Sequence, residues 1–555
     1  MKEKLKYILL ILTPAERRKF WLQVILNIFI SIADVAALAL LLLVINFYIS
    51  NSVDRLDFLP AWMLDPGSIA LIAFFFILFG IKNLLGILIS SAQFKFISQV
   101  AVRISQNKLA KYQQGKFEEF VSTDSSAHIS KIAYHPFEFS QHILSGIQQI
   151  LIQSILILVT VTAILLYNAK LFLFLLLILV PPVTFVFFYI KKSLASTKKN
   201  ISLSNERSHK YLFDALKGYV EGNIYQRNDF FHRRFSAARQ TFSRHLFDSL
   251  SVQAMPNRII ETFAVLGLFI LIVIAKWSGI RDNSTLIMIG AFMAAAYKII
   301  PGIVKIINAA GQMKAYEVSI SDLETPVKKV INEFLVNEIS PIETIQLKKL
   351  NFQYNDHCVL NDFSLSIRKE DFIGITGKSG KGKTTILNLL LGFLQPLNGE
   401  IIINDRPVSV KEIKNFWPQI SYVRQQPFFI HDSILRNITL QEEGYDKERL
   451  ELALNISGLK DFINQSPEGL DKMITENGKN ISGGQQQRIS IARALYKNAD
   501  IILLDEPFNE LDEASTGLLA QHFKEMAVNG RTIIMITHDK MCLSFCNKII
   551  SLDES

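Results

Sequence analysis

Gly377-Lys378-Ser379-Gly380-Lys381-Gly382-Lys383-Thr384-Thr385 fits the phosphate-binding pattern G-x-x-x-x-G-K-[ST] without a mismatch. The strand-like run Phe372-Ile373-Gly374-Ile375 precedes it, and the helix-like run Ile386-Leu387-Asn388-Leu389-Leu390 follows it. A strand, a glycine-rich loop and a helix in that order make a site rather than a chance turn. Glycines let successive backbone N–H groups close around phosphate oxygens, and the helix N-terminus adds the positive end of its dipole. The spacing places Lys383 on the β- and γ-phosphates of a nucleotide and Thr384 on a divalent cation. Further along, Ile501-Ile502-Leu503-Leu504-Asp505-Glu506 reads as an apolar strand ending in two carboxylates. Asp505 is expected to join Thr384 at the cation, and Glu506 to polarise an attacking water as general base.

The remainder of the chain is of a different kind. Of 555 residues, 50% are hydrophobic and only 20% charged, and the apolar runs crowd into the first half. That distribution predicts a membrane domain fused to a soluble one. The net charge of +9 fits cytoplasmic loops of a membrane protein and gives no reason to expect a nucleic-acid partner. Cys358, Cys542 and Cys546 all fall in the soluble part, lack the companions of a zinc site, and are expected to be buried and reduced.

Residues 1–19 are basic, with a short apolar run from Leu5 to Leu12. They are expected to form an amphipathic helix on the inner membrane surface rather than a cleaved signal. Thr13-Pro14-Ala15-Glu16 reads as a cap, an N1 proline and the start of a new helix. Six apolar stretches follow, near Phe20–Ile49, Ser68–Phe96, His142–Tyr167, Leu171–Ile190, Arg258–Trp277 and Leu286–Asn308. Each reaches the ~20 residues that a crossing helix needs. The loop after the first span carries Asp54, Arg55, Asp57 and Asp65. The long loops after the second and fourth carry Lys95, Arg103, Lys108, Lys111, Lys191, Lys192, Lys198 and Lys199. Positive-inside logic puts the long loops and both termini in the cytoplasm. Both long loops read as helices continuing the spans, with tips at Lys116–Phe120 and Tyr211–Tyr225 that suit docking on the soluble domain. The expected domains are residues 1–325 in the membrane, a linker over 326–341, and a soluble domain over 342–555.

Between the two phosphate-site motifs lies Ile481-Ser482-Gly483-Gly484-Gln485-Gln486-Gln487-Arg488. It resembles the ABC-transporter signature, and with it the soluble domain is identified as similar to an ABC nucleotide-binding domain. The other motifs of that family match in order. Tyr354 stands where an aromatic stacks on adenine, and Gln425 where the Q-loop glutamine stands. Asn509-Glu510-Leu511-Asp512 fills the D-loop, and His538 matches the switch histidine. The resemblance implies ATP and Mg²⁺ as cofactors. It implies nucleotide contacts from Tyr354, from Gly377 through Thr385, from Ser482, Gly483, Gly484 and Gln485, and from Asp512. It implies Thr384, Gln425 and Asp505 at the metal, and Gln425 and His538 beside Glu506 in catalysis. In this family the signature closes on ATP held by a partner domain. One chain carrying both halves of a site therefore implies a dimer, most simply of two copies, with a heterodimer as the alternative. Three departures stand out: Ile481 for leucine, Arg424 for proline, and Asn509-Glu510 for the usual Ser-Ala.

The whole layout resembles an exporter half-transporter: a six-helix α transmembrane domain followed by an α/β P-loop NTPase domain, in the cytoplasmic membrane of a bacterium. Thr475-Glu476-Asn477-Gly478 before the signature favours export over import. Ala294 to Pro301, Ala215 to Val220 and Arg227 to Phe231 resemble segments of lipid-linked-oligosaccharide flippases. This implies membrane lipids and a lipid-linked glycan as partners. The alternatives are a general exporter of drugs, lipids or small peptides, and an ATPase that gates or regulates a partner. Within the spans, Lys82, Arg258, Lys298 and Lys305 are candidates for a basic belt that takes an anionic headgroup. The competing account is structural pairing, of Lys82 with Asp34 and of Arg258 with Glu261.

Overall fold

The computed structural model describes residues 2–50, 69–115, 117–167, single positions and short runs between 173 and 189, then 200–277, 283–321, 323, 340–355 and 357–553. The chain divides into two compact units: residues 1–115 with 122–330, and residues 116–121 with 331–555. Several expectations lie wholly or mostly outside the described residues: the acidic loop at 54–65, most of the fourth span, the turns at 168–170 and 281–282, Lys191, Lys192, Lys198 and Lys199, and the linker over 326–339.

The first unit is helical. It contains α1 (Lys2–Ile11), α2 (Pro14–Ser50) and α3 (Ala70–Gln113). α2 starts where the sequence predicts: the Thr13 amide donates to Glu16 Oε2 at 2.8 Å and the Glu16 amide to Thr13 Oγ1 at 3.3 Å, a reciprocal cap. After α3 come the short α4 (Phe117–Ser122), which clusters with the second unit through its Phe117, and later α5 (Ser145–Tyr167). Among the described residues α6 (Asn200–Lys217), α7 (Asn228–Trp277) and α8 (Asn283–Ala315) follow. Among the described residues, three helices are long and apolar enough to cross a membrane, over Pro14–Leu41, Ala70–Gln113 and Ser125–Leu166. Phe29, Phe76 and Ile87 are 64%, 74% and 69% exposed, as expected where lipid replaces water. The expected fifth span is the end of the 50-residue α7, which runs through Pro256 and continues the preceding long loop as one helix.

One expectation is corrected. α1 does not keep its apolar face for the membrane surface. Ile8, Ile11 and Leu12 are 2%, 2% and 0% exposed, packed in one cluster with Phe20, Phe96, Val100 and Phe139. Arg103 fixes the corner by donating to Glu16 Oε1 at 2.7 Å and to the Ile11 carbonyl at 3.1 Å. The Tyr7 hydroxyl donates to the Leu323 carbonyl at 2.8 Å.

The second unit is α/β. Its parallel sheet has five strands in the order β8-β3-β7-β6-β5, from β3 (Phe372–Thr376), β5 (Ile420–Val423), β6 (Ile501–Asp505), β7 (Thr532–Ile536) and β8 (Lys548–Ser551). β6 and β7 are buried at every residue, as a sheet covered on both faces requires. An antiparallel sheet built on β1 (Thr344–Tyr354), β2 (His357–Arg368) and β4 (Asn398–Ile403) joins the same core through Leu347, Leu365 and Ile401. Phe117 of α4 stacks on Phe393 at 4.8 Å with planes 14° apart. A stack of this kind contributes ~1 kcal/mol beyond its buried area. Phe117→Ala should therefore loosen this seat about fivefold, read as faster amide exchange over residues 117–122; unchanged exchange would show that the stack holds nothing.

Candidate functional site

The site gathers at the carboxyl ends of β3, β6 and β7, where open α/β sheets bind ligands. The loop after β3 leads into α9 (Lys383–Leu390). Gly382 caps that helix with φ of 91°, and a Cβ there would lie 2.7 Å from Val359 Cγ1. Both the conformation and the space therefore demand glycine. Lys378, Ser379, Gly380 and Lys381 form the exposed rim, whereas Thr385 is buried on α9. Lys383 is 8% exposed, and its Nζ donates to the carbonyls of Gly377 at 2.6 Å and Lys378 at 3.2 Å. Those bonds hold a cation inside the concavity, where phosphate oxygens would meet it. The Lys378 amide donates to Asp553 Oδ1 at 2.9 Å, anchoring the loop to the chain's last described residue.

Asp505 closes β6 at 4% exposure. Its Oδ2 accepts from Thr384 Oγ1 at 3.2 Å and from the Tyr422 hydroxyl at 3.4 Å. Burial is the main cause that pushes its carboxyl pKa up, with the Glu506 charge adding to it. A buried carboxylate oxygen beside a threonine hydroxyl suits a small hard cation. The structure brings Thr384 and Asp505, expected together at the cation, into contact. Gln425 Nε2 donates to Glu506 Oε2 at 2.7 Å, which leaves the Gln425 carbonyl oxygen as an acceptor for a cation. Bound Mg²⁺ would supply charge neutralisation on the phosphates.

Glu506 adopts φ of 49°, the left-handed region, and its amide donates to the Ile536 carbonyl at 3.0 Å. Such a conformation is costly for a residue with a Cβ and persists because its surroundings hold it. It turns the carboxylate away from β6 toward the loop after β7, where His538 Nε2 lies 3.8 Å from Oε1. Asn509 Nδ2 donates to Oε2 at 2.8 Å. Tyr354 is 48% exposed, and its ring lies 4.9 Å from that of Phe352 with the planes 84° apart.

The signature heads α10 (Gly483–Tyr496). Ser482 accepts from the Gln485 amide at 3.3 Å, while Gln485 Oε1 accepts from the Ser482 amide at 3.1 Å. The Gln485 side chain, expected at the nucleotide, is thus engaged in a capping box. Glu510 lies against Gly483: a Cβ built on that glycine would be 2.8 Å from Glu510 Oε2. Asp512 caps α11 (Glu513–Val528), accepting from the Ser515 amide at 3.0 Å. The cysteines are free: Cys542 is buried, Cys546 partly so, and Cys358 is exposed, contrary to expectation. Burial pushes the Cys542 and Cys546 thiols up to about 12.

In the membrane unit, Lys82 and Lys298 meet on one carboxylate. Lys82 Nζ pairs with Asp34 Oδ1 and lies 4.2 Å from the Phe79 ring centre. Lys298 Nζ is 3.2 Å from Asp34 Oδ2. Arg258 and Lys305 do not join them: Arg258 is exposed, 3.8 Å from Glu261, and Lys305 is exposed on α8. Sequence reasoning anticipated the Asp34–Lys82 and Glu261–Arg258 pairs but not the pair with Lys298, 264 residues from Asp34. It also missed Tyr422, Asp553 and Asn509. Only Asn509 left a signal, as a departure from the usual D-loop.

Residues 360–509 match the ABC transporter family. The chain is 25% identical over 490 residues to an ATP-dependent lipid A-core flippase of Photobacterium profundum, covering 85% of this chain and 83% of that one. A lipid A-core flippase of Alkalilimnicola ehrlichii is 30% identical over 61% of this chain and 58% of its own. The alpha-hemolysin translocation ATP-binding protein of Escherichia coli is 32% identical over 51% of this chain and 41% of its own. A bacterial Atm1-family ABC exporter with ATP bound has the same fold, with a TM-score of 0.74 and 18% identity over 98% of this chain and 94% of that one.

Proposed function

We propose that this chain, which belongs to the ABC transporters as a half-transporter with a C-terminal ATPase domain, drives export or flipping of a lipid-linked oligosaccharide or related glycolipid. The observation that carries the substrate reading is the cluster of Lys82, Asp34 and Lys298, two cations on one carboxylate. Ionisable side chains inside the spans mark substrate or ion paths, and an anionic lipid headgroup is the kind of ligand that two ammonium groups suit. Similarity to a lipid A-core flippase extends over 85% of the chain, against 51% for the toxin exporter, which favours a lipid over a polypeptide cargo.

In this reading two copies pair in a bacterial inner membrane, with their nucleotide domains in the cytoplasm. Lys383, with the loop amides from Gly377 to Thr385, binds the phosphates of ATP, and Tyr354 stacks on its base. Thr384, Asp505 and Gln425 hold Mg²⁺. Ser482, Gly483 and Gly484 of one copy, with Asp512 nearby, meet the nucleotide of the other. Glu506 takes a proton from the attacking water, with His538 beside it. Closure and opening of the two domains move the loop tips and switch the spans between inward and outward access.

The test is ATPase activity in lipid nanodiscs, titrated with a polyprenyl-pyrophosphate glycolipid, with lipid A, and with hydrophobic drugs and peptides. We expect saturable stimulation by the glycolipid. Lys298→Ala removes one of the two ammonium groups at Asp34, so stimulation relative to the basal rate should be lost. Stimulation by drugs or peptides with indifference to the glycolipid would move the reading to general export.

A further inference from the structure

We propose that Asn509 is a positioning residue for the proposed general base Glu506, a role that rests on that assignment. The chain leaves β6 at Glu506 and turns through Pro507 and Phe508, so that Asn509 comes back onto the carboxylate and donates to Oε2 at 2.8 Å. The turn is pinned on both sides. Phe508, 7% exposed, packs in the core with Leu519 and Phe523. The Glu510 amide donates to Oε1 of Gln487, which is itself 5% exposed on α10, at 3.0 Å. The Leu511 amide closes the turn onto the Phe508 carbonyl at 3.0 Å. Asn509, exposed itself, is therefore presented by a turn held at both ends, whereas Gln425, also exposed and a donor to Oε2, is in addition a candidate cation ligand.

Two amide donors on Oε2 fix the plane of the carboxylate and occupy that oxygen. Oε1 is left as the one to accept a proton, on the side facing His538. A free glutamate side chain has several rotamers and would spend much of its time misaimed. The Asn509 bond selects one of them. A serine, which the resemblance makes usual at this place, has a shorter side chain and lacks the amide donor.

The experiment is steady-state hydrolysis by the full-length protein in nanodiscs. Asn509→Ala should lower kcat about tenfold, the scale of one hydrogen bond to a charged group. KM for ATP should stay within about twofold, because ground-state binding is not touched. Asn509→Asp keeps the shape but has no donor, and should fall at least as far. In a Glu506→Gln background, Asn509→Ala should have no further effect, since it acts only through the carboxylate. Wild-type kcat in either single variant, or a tenfold drop retained in the Glu506→Gln background, would overturn the proposal. Wild-type turnover by Glu506→Gln alone is a distinct result that removes the base assignment and the proposal with it.

Discussion

Glu506→Gln is expected to reduce ATP turnover by at least about a hundredfold while leaving ATP binding intact, because a positioned general base contributes roughly 10²–10⁴ to the rate. Glutamine has the shape of glutamate but cannot accept the proton of the attacking water. The substitution leaves the scaffold in place: the φ of 49° at residue 506, the amide bond to Ile536, and the phosphate loop around Lys383 do not depend on the carboxylate charge. Phosphate release and equilibrium ATP binding, measured on one preparation, separate the two effects. Turnover near wild type would take Glu506 out of the mechanism, and loss of binding would mean that its charge serves the nucleotide rather than the water. His538→Ala should cost less, because its Nε2 lies 3.8 Å from Glu506 Oε1 rather than within hydrogen-bond reach.

Asp34→Asn should destabilise the membrane unit by about 3 kcal/mol, the low end for breaking a buried ion pair by removing one partner. Asp34 serves Lys82 on α3 and Lys298 on α8, whose side chains are only 13% and 19% exposed. Asparagine keeps the shape but withdraws the charge that both ammonium groups share. Thermal unfolding in nanodiscs should show a midpoint lower by roughly 5–10 °C. Replacing all three residues with leucine should recover most of the loss, since apolar residues of similar volume often match a buried charge cluster. An unchanged midpoint in Asp34→Asn would mean that the ion cluster adds nothing to stability, and the structural-pairing account would fall.

The phosphate loop of the candidate site was legible in the sequence, for a physical reason. A phosphate-binding loop needs glycines at fixed offsets because its backbone does the binding. The strand before it and the helix after it are local in sequence, so one continuous stretch carries the whole device. The same holds for the cap at Thr13 and Glu16 and for Ser482 heading its helix. Asp505 and Glu506 were recognisable because the phosphate loop upstream gives two carboxylates at a strand end a cation and a water to act on. Long apolar runs likewise announced the membrane unit, since the thickness of a bilayer sets their length.

Tertiary structure decided what depends on partners distant in the chain. The sequence of α1 is amphipathic, and periodicity says only that one face is apolar, not what covers it. Phe96, Val100 and Phe139 cover it, and the surface helix becomes part of the packed unit. Nothing local to Lys298 names Asp34, and nothing local to Asp505 names Tyr422. The D-loop shows the division within a single residue. Asn509 was visible in the sequence as a departure without a meaning. Only the turn pinned by Phe508 and Glu510 brings its amide to Glu506, because the aim of a side chain is set by the packing of its neighbours and not by its place in a motif.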